Sequence, residues 1–377
     1  MVGGGQGAFI GAVHRIAARM DGQFILVAGA LSSNAERALV SAAELGIDKS
    51  RTYASFQQMA LAEAAHKEGI EAVVIVTPNH MHFPVAKAFL NAGIHVICDK
   101  PLTSNLQDAL ALEALVETSG KLFVLTHNYT GYPLIRQAQE MVQAGKLGDI
   151  RQVHVEYVQD WMAEPVEQDA SNKQAIWRAD PEKSGKGGCI ADIGTHAYDL
   201  LRFVTGLKTQ SLAADLSINV EGRLLDDNAN ILLRFEGGAK GILWASQVAV
   251  GNENNLVLRV YGAAGGLEWR QENPNQMWFT PLNQPKQLLT RAGAGASVAA
   301  NRVSRTPGGH PEGYLEGFAN LYVEAAELIR HERQGTIGTA PPSLLPTIKD
   351  GVEGMRFIEA CVISHQNNAA WEALEAN

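Results

Sequence analysis

Apolar positions in the first third of the chain alternate between two periods. Phe24 to Ala30 (FILVAGA), Ala72 to Thr77 (AVVIVT), His95 to Cys98 (HVIC) and Leu122 to Thr126 (LFVLT) are short, nearly continuous apolar runs. That is the pattern of strands covered on both faces. Between them, Asn34 to Leu45, Phe83 to Ala92 and Leu106 to Ser119 carry apolar residues at helical spacing, and Gly93 and Gly120 stand where the last two stop. Strand and helix in alternation predict an α/β fold with a doubly wound parallel sheet. Further on the period shortens. Val153, Val155 and Tyr157 alternate with polar neighbours, as do Ile231, Leu233 and Phe235, and then Ile242, Trp244 and Ser246. Short strands are expected at Leu256 to Tyr261 and Gly266 to Trp269, with turns at Gly237-Gly238 and Gly265-Gly266. This second pattern predicts an α+β domain built on an antiparallel or mixed sheet. Thr280 to Gly309, rich in Pro, Gly, Ala and Gln, reads as an excursion loop, and Gly317 to Arg330 and Gly351 to Ser364 as closing helices. The change of period, between Thr126 and Tyr132, divides the chain into domains over 1–127 and 128–377.

Bulk composition narrows the function classes. At 377 residues the chain exceeds one ordinary core, and 46% hydrophobic with 19% charged residues is the composition of a folded protein. A net charge of −9 with no basic run argues against a nucleic-acid surface, which needs concentrated Lys and Arg. Cys98, Cys189 and Cys361 are odd in number and far apart, so neither a disulfide framework nor a zinc site is indicated, and a reducing cytoplasm is the expected location. Met1 to Gly7 lacks the pattern of a signal peptide, and no apolar stretch has the length of a membrane span.

Four segments carry chemistry. In the first, Gly3, Gly5 and Ala8 fit a GxGxxA turn, with further glycines at 7 and 11 and helical spacing from Ala12. Such a turn lets the backbone approach a pyrophosphate at a helix N-terminus. Only Met1 and Val2 precede it, so the first strand is expected to be truncated here or to start upstream. The acidic residue that would hold a ribose hydroxyl is missing; Ser32 stands in its place with Arg37 five residues on, which leans the cofactor toward NADP rather than NAD. The next two are Thr77-Pro78-Asn79-His80 and Asp99-Lys100-Pro101, each following a buried strand and so lying at the carboxyl edge of the sheet. Lys100 there can polarise a hydroxyl or carbonyl oxygen. The fourth runs from Trp177-Arg178 to Gly188-Cys189-Ile190-Ala191-Asp192-Ile193-Gly194-Thr195-His196. Asp192 and His196, four apart, share a face if a helix starts here, giving a carboxylate clamp beside an acid/base imidazole. Neither this pair nor His80 with His82 brings a third ligand, so no metal is expected.

In order and spacing, these segments resemble the Gfo/Idh/MocA family, named for glucose–fructose oxidoreductase and inositol dehydrogenase. The likeness rests on the glycine-rich start, Thr77-Pro78-Asn79 with His82, Ala92 to Val96 leading into Asp99-Lys100-Pro101, and Gly188 through His196. It implies a Rossmann N-terminal domain and a second domain with a large open, mainly antiparallel sheet, often used for oligomerisation, hence a homodimer or homotetramer. It also implies a sugar, inositol or related polyol substrate. Lys100, in a D-K-P version of the family's E-K-P motif, Asp192 and His196 take the catalytic positions. The cofactor is expected at Gly3, Gly5, Gly7, Ala8, Phe9, Ile10, Ser32, Arg37, Thr77, Pro78, Asn79, His82, Asp99 and Lys100. Substrate is expected at Asn128, Tyr129, Trp177, Arg178, Asp192, His196 and His310, with Glu312 beside the last. Thr130 stands where many relatives carry Arg. The competing readings are a nucleotide-binding sensor without catalysis, and a redox-neutral enzyme that oxidises its substrate only transiently.

Overall fold

A computed structural model describes residues 1–374 of the chain. Its contacts group Met1–Asn128 with Phe318–Val352 in one compact unit, and Tyr129–Gly317 with the residues from Glu353 in another. The units are therefore interleaved in sequence rather than divided once at 127/128.

The first unit contains β1 (Val2–Gly3), α1 (Phe9–Met20), α2 (Ala35–Glu44), α3 (Phe56–Ala65), β2 (Ala72–Val76), α4 (His82–Asn91), β3 (His95–Cys98), α5 (Leu106–Ser119) and β4 (Phe123–Leu125). The four strands pair in parallel in the order β1-β2-β3-β4. Val73, Ile75, Val96 and Val124 have no exposed surface, as continuous apolar runs require when helices cover both faces. Side-chain oxygens of Asn34, Ser55 and Asn105 cap the starts of α2, α3 and α5. One predicted strand fails. Phe24 to Ala30 is not a continuous strand; it keeps only isolated parallel bridges, Val2 to Ala30 and Gly29 to Thr52. Its neighbour β1 is two residues long, too short to support a ladder, and Ile25 is left exposed.

The second unit adds α6 (Pro133–Gln143), β5 (Ile150–Val158), α7 (Lys173–Arg178), α8 (Pro181–Ser184), α9 (Thr195–Thr205), β6 (Thr209–Ser217), β7 (Asn228–Phe235), β8 (Lys240–Ser246), β9 (Asn255–Gly262), β10 (Gly265–Arg270), β11 (Gln276–Pro281), β12 (Gln287–Thr290) and α10 (Val298–Arg302). The chain continues through α11 (Tyr314–Arg333) and α12 (Ile348–Gln366) to β13 (Glu372–Ala373). Nine strands form one sheet, β12-β11-β10-β9-β5-β8-β7-β6-β13, antiparallel at every pairing but β5 with β8. Val155, Leu258, Trp269, Ile231 and Leu243 turn inward to a single core with α6 and α9. In β8 the buried residues are Gly241, Leu243, Ala245 and Ser246, so of the alternating set read in the sequence Ile242 faces outward, 40% exposed, while Ser246 is buried. The expected loop after Thr280 contains β12 and α10, whose polar and small residues give weak signals for either state.

Candidate active site

In the first unit the glycine segment makes the turn between β1 and α1. Gly3, Gly4 and Gly7 have φ of +77°, +74° and +78°, a region open to glycine and strained for other residues. A Cβ on Gly3 would stand 2.7 Å from the Val76 carbonyl oxygen, and one on Gly5 2.8 Å from that of Leu31. The position that lets helix and turn pack closely is Gly11, whose Cβ would meet the Gly4 Cα at 2.5 Å. Ala8, the third position of the GxGxxA reading, forms the N-cap of α1 and makes no side-chain cap bond. No acidic residue occupies the first turn of α1, so its N-terminus keeps the polarity that attracts phosphate. Arg15 Nη1 donates to the Gly4 carbonyl at 2.6 Å and braces the turn. A cavity of about 420 Å³ lies against Gly5, Gly7, Phe9, Arg15, Ser41 and Glu44. The Phe9 side chain is 66% exposed, whereas Ile10 packs into the apolar cluster behind the turn. Ser32 Oγ accepts from the Asn34 amide, and Arg37 is exposed on α2.

The carboxyl edge of the sheet carries the next two segments. Thr77, Pro78 and Asn79 follow β2, and Asn79 is buried. Asp99 Oδ1 accepts from the Lys100 amide at 2.9 Å and from Thr126 Oγ1 at 3.2 Å, which fixes the turn bearing Lys100. His82 lies beneath. Its Nδ1 is 2.8 Å from the Pro101 carbonyl and its Nε2 2.9 Å from that of Thr77. Both nitrogens face main-chain carbonyls, of which a neutral ring donates to one, and the residue is 1% exposed. Burial lowers its pKa below the usual histidine value, against the opposite pull of Asp99 and the two carbonyls. Expected at the cofactor, His82 instead ties the Thr77 segment to the Lys100 turn. The Thr77 hydroxyl and the Asn128 amide nitrogen are buried with no hydrogen-bond partner among the described residues. Two such groups are what a site shaped for a polar ligand leaves open. With the side-chain-free glycine turn, they fit a dinucleotide.

In the second unit Asp192 and His196 lie across a junction. Ile190–Gly194 winds as one π turn, with the Thr195 amide donating to the Ile190 carbonyl, and α9 follows directly. Such widened turns recur at functional sites. Asp226 fixes the entry: its carboxylate accepts from the amides of Gly188 at 2.6 Å and Ile190 at 2.9 Å, and from Cys189 Sγ at 3.1 Å. Burial raises the Asp226 pKa, and these donors act against it. Gly194 is required locally, since a Cβ there would stand 2.6 Å from Ile190 Cδ1. Asp192 Oδ2 accepts from Arg178 Nε at 3.2 Å and from Gln247 Nε2 at 2.8 Å. The Arg178 guanidinium in turn lies 4.2 Å over the Trp177 ring. Trp177, Arg178 and Asp192, separated in sequence, are therefore one assembly.

His196 is 8% exposed and meets the Tyr129 ring edge-on at 5.0 Å and that of Tyr157 at 6.1 Å. The two phenols share a 2.6 Å hydrogen bond, and Tyr157 donates to Asn254 Oδ1 at 2.8 Å. Burial, above all, pushes both phenol pKa values up, so they remain hydrogen-bonding hydroxyls. His310 lies elsewhere. It is exposed and lines a cavity with Gln271 and Glu312, whose walls include neither Asp192 nor His196. Sequence reasoning missed Tyr157, Gln247, Asn254 and Asp226. Each sits in or beside a strand of ordinary composition, and only the sheet register carries it to the site.

Two family models match the chain. The first, described as an oxidoreductase family with an NAD-binding Rossmann fold, covers residues 1–129, and the second, a GFO/IDH/MocA C-terminal domain, covers 135–268. An oxidoreductase structure from Sinorhizobium meliloti is 57% identical, with a TM-score of 0.89 over 98% of both chains. An inositol dehydrogenase homolog from Azotobacter vinelandii, solved with NADH and myo-inositol, is 35% identical, with a TM-score of 0.92 over 99% of this chain and 96% of that one. Among curated relatives, the uncharacterized oxidoreductase YfiI of Bacillus subtilis (strain 168) is 34% identical over 374 residues, 98% of this chain and 95% of its own.

Proposed function

The chain belongs to the Gfo/Idh/MocA family of NAD-binding oxidoreductases, and from that premise we propose that it is a dehydrogenase of a cyclic polyol or sugar, with Lys100, Asp192 and His196 as its working residues. The observation that carries the reading is the setting of His196. An imidazole stands edge-on to hydrogen-bonded phenols, and a carboxylate four residues before it is held by Arg178 and Gln247. Such a surface offers donors and acceptors at several points beside aromatic rings, which suits a ligand with many hydroxyls on a C–H framework. The myo-inositol bound in the Azotobacter vinelandii relative supports the substrate class.

NAD, when bound, supplies the two-electron acceptor for the carbinol carbon. The glycine turn and the start of α1 would hold its pyrophosphate, and the Thr77 hydroxyl and Asn128 amide would bond its polar groups. The His196 imidazole takes the hydroxyl proton as the alcohol becomes a carbonyl, and returns it in the opposite direction. The Lys100 ammonium favours negative charge on that oxygen while the proton leaves. Asp192, oriented by its two donors, accepts from a neighbouring hydroxyl and sets which carbon reacts. Ser32 where a ribose-binding carboxylate would stand, with Arg37 exposed on α2, supports acceptance of NADP beside NAD.

The test is a panel of inositols, pentoses and hexoses with either nucleotide, followed by the absorbance of the reduced nicotinamide. Net reduction by at least one cyclic polyol is expected. A product formed without net reduction would assign the site to a redox-neutral reaction. No turnover, despite tight nucleotide binding, would leave only a sensor.

A further inference from the structure

The second unit holds a polar hollow that the chemistry above does not use. It measures about 650 Å³ and is walled by the turn between β10 and β11 and the segment entering α11, chiefly through Tyr132, Gln271, Asn273, Asn275, Glu312 and Tyr314. Glu312 is 5% exposed. Its Oε1 is crowded with donors: Arg291 Nη1 at 3.0 Å, the amides of Arg305 at 2.7 Å and Thr306 at 2.6 Å, and the Thr306 hydroxyl at 2.9 Å. Its Oε2 is buried with no partner among the described residues, and so is Gln271 Oε1. Two buried acceptors without donors are costly, and a ligand that donates hydrogen bonds relieves both. Arg291 already balances the Glu312 charge, so the hollow calls for neutral hydroxyls rather than a cation. Planar amides and a carboxylate for adjacent hydroxyls, with phenol rings for the C–H face, are the chemistry of a sugar ring.

The hollow is linked to the imidazole through packed aromatic rings. Tyr132 and Tyr314 both pack on Tyr129, at 5.8 and 6.4 Å, and Tyr129 is the ring 5.0 Å from His196. We propose that the hollow is an outer sugar subsite, so that the preferred substrate carries a second hydroxyl-rich ring glycosidically joined to the ring oxidised at His196. This inference rests on the polyol dehydrogenase reading.

Three pairs of probes test it: myo-inositol with galactosyl-myo-inositol, and glucose with maltose and with cellobiose. Each is measured for kcat/KM and, in the presence of NADH, for binding by calorimetry. At least one glycoside is expected to exceed its parent about tenfold in kcat/KM and in affinity. Gln271→Leu, and the exposed-wall variant Asn273→Ala, should each lower values for that glycoside several-fold more than for the parent. Equal loss on both, or no gain in any pair, overturns the subsite. A free sugar that alters turnover of the parent, without any glycoside gain, makes the hollow an effector site and overturns it too. If no polyol is oxidised, the function fails, and the calorimetric comparison of glycoside with parent still decides the subsite.

Discussion

Lys100, proposed to act on the substrate oxygen, sits on a turn that other residues fix. Asp99 accepts from the Lys100 amide, and the His82 ring nitrogens lie against the Pro101 and Thr77 carbonyls. Lys100→Met keeps the stem and removes the charge, so kcat should fall about 10²- to 10⁴-fold while nucleotide affinity changes little; stopped-flow turnover and a fluorescence titration of NADH measure the two. At the ribose position, Ser32→Asp restores a carboxylate that bonds a 2′-hydroxyl and repels a 2′-phosphate. The ratio of NADP to NAD dissociation constants is expected to rise about tenfold or more, read by parallel titrations. The residue types at both places were legible because their motifs are short and local. The partners of Asp192 were only half legible: Arg178 lies fourteen positions away in a marked segment, but Gln247 comes from beyond β8 and nothing in its neighbourhood marks it.

Among the elements, α1 has a tightly constrained seat. Its contact with the glycine turn is backbone against backbone at Gly11 and Gly4. Gly11→Ala must push the helix off the turn, and about 1–3 kcal/mol of stability should go with it. Denaturant midpoints and NADH affinity are both expected to drop, whereas an Ala in an exposed helix position costs nothing comparable. The same helix places His14 against α11, its Nδ1 2.7 Å from the Tyr322 hydroxyl and its ring edge-on to Phe318 at 5.0 Å. Burial lowers the His14 pKa from 6.5 to about 4. The folded chain therefore keeps His14 neutral where the unfolded chain begins to bind a proton, and protonation favours unfolding. The contribution is complete above pH 6.5 and is lost as pH falls from 6.5 toward 4. Urea midpoints measured across that interval should decline, and His14→Phe should flatten the decline. Helix periods gave α2, α4 and α5 almost to the residue, because apolar stripe and stop signal agree. The strand at Phe24 failed because an apolar run becomes a strand only if a partner of matching length lies beside it.

At the scale of the molecule, the nine-stranded sheet has one face in the core and one without cover among the described residues. A single row across it, paired strand to strand, runs Leu232, Ile242, His154, Arg259, Glu268, Trp278 and Leu288, and four of these are large apolar side chains at least 38% exposed. Exposed apolar side chains at both ends of this row, with the polar His154, Arg259 and Glu268 between them, offer a surface for self-association, and a homodimer or homotetramer is the proposed state. Sedimentation should give an oligomer, and Leu232→Glu combined with Ile242→Glu should shift it toward monomer without unfolding; a wild-type monomer would end the proposal. No helix among the described residues is long and apolar enough to cross a membrane. The sequence by itself determined the α/β pattern, the glycine turn and the positions of Lys100, Asp192 and His196, since periodicity and short motifs are written within a dozen neighbouring residues. Only the tertiary structure decided that Gly11 packs against the turn at Gly4, that His82 lies against the backbone, and that Tyr157, Asn254 and Gln247 stand with His196 and Asp192. Those facts depend on strand register and on contacts between residues up to a hundred positions apart, which no local spacing encodes.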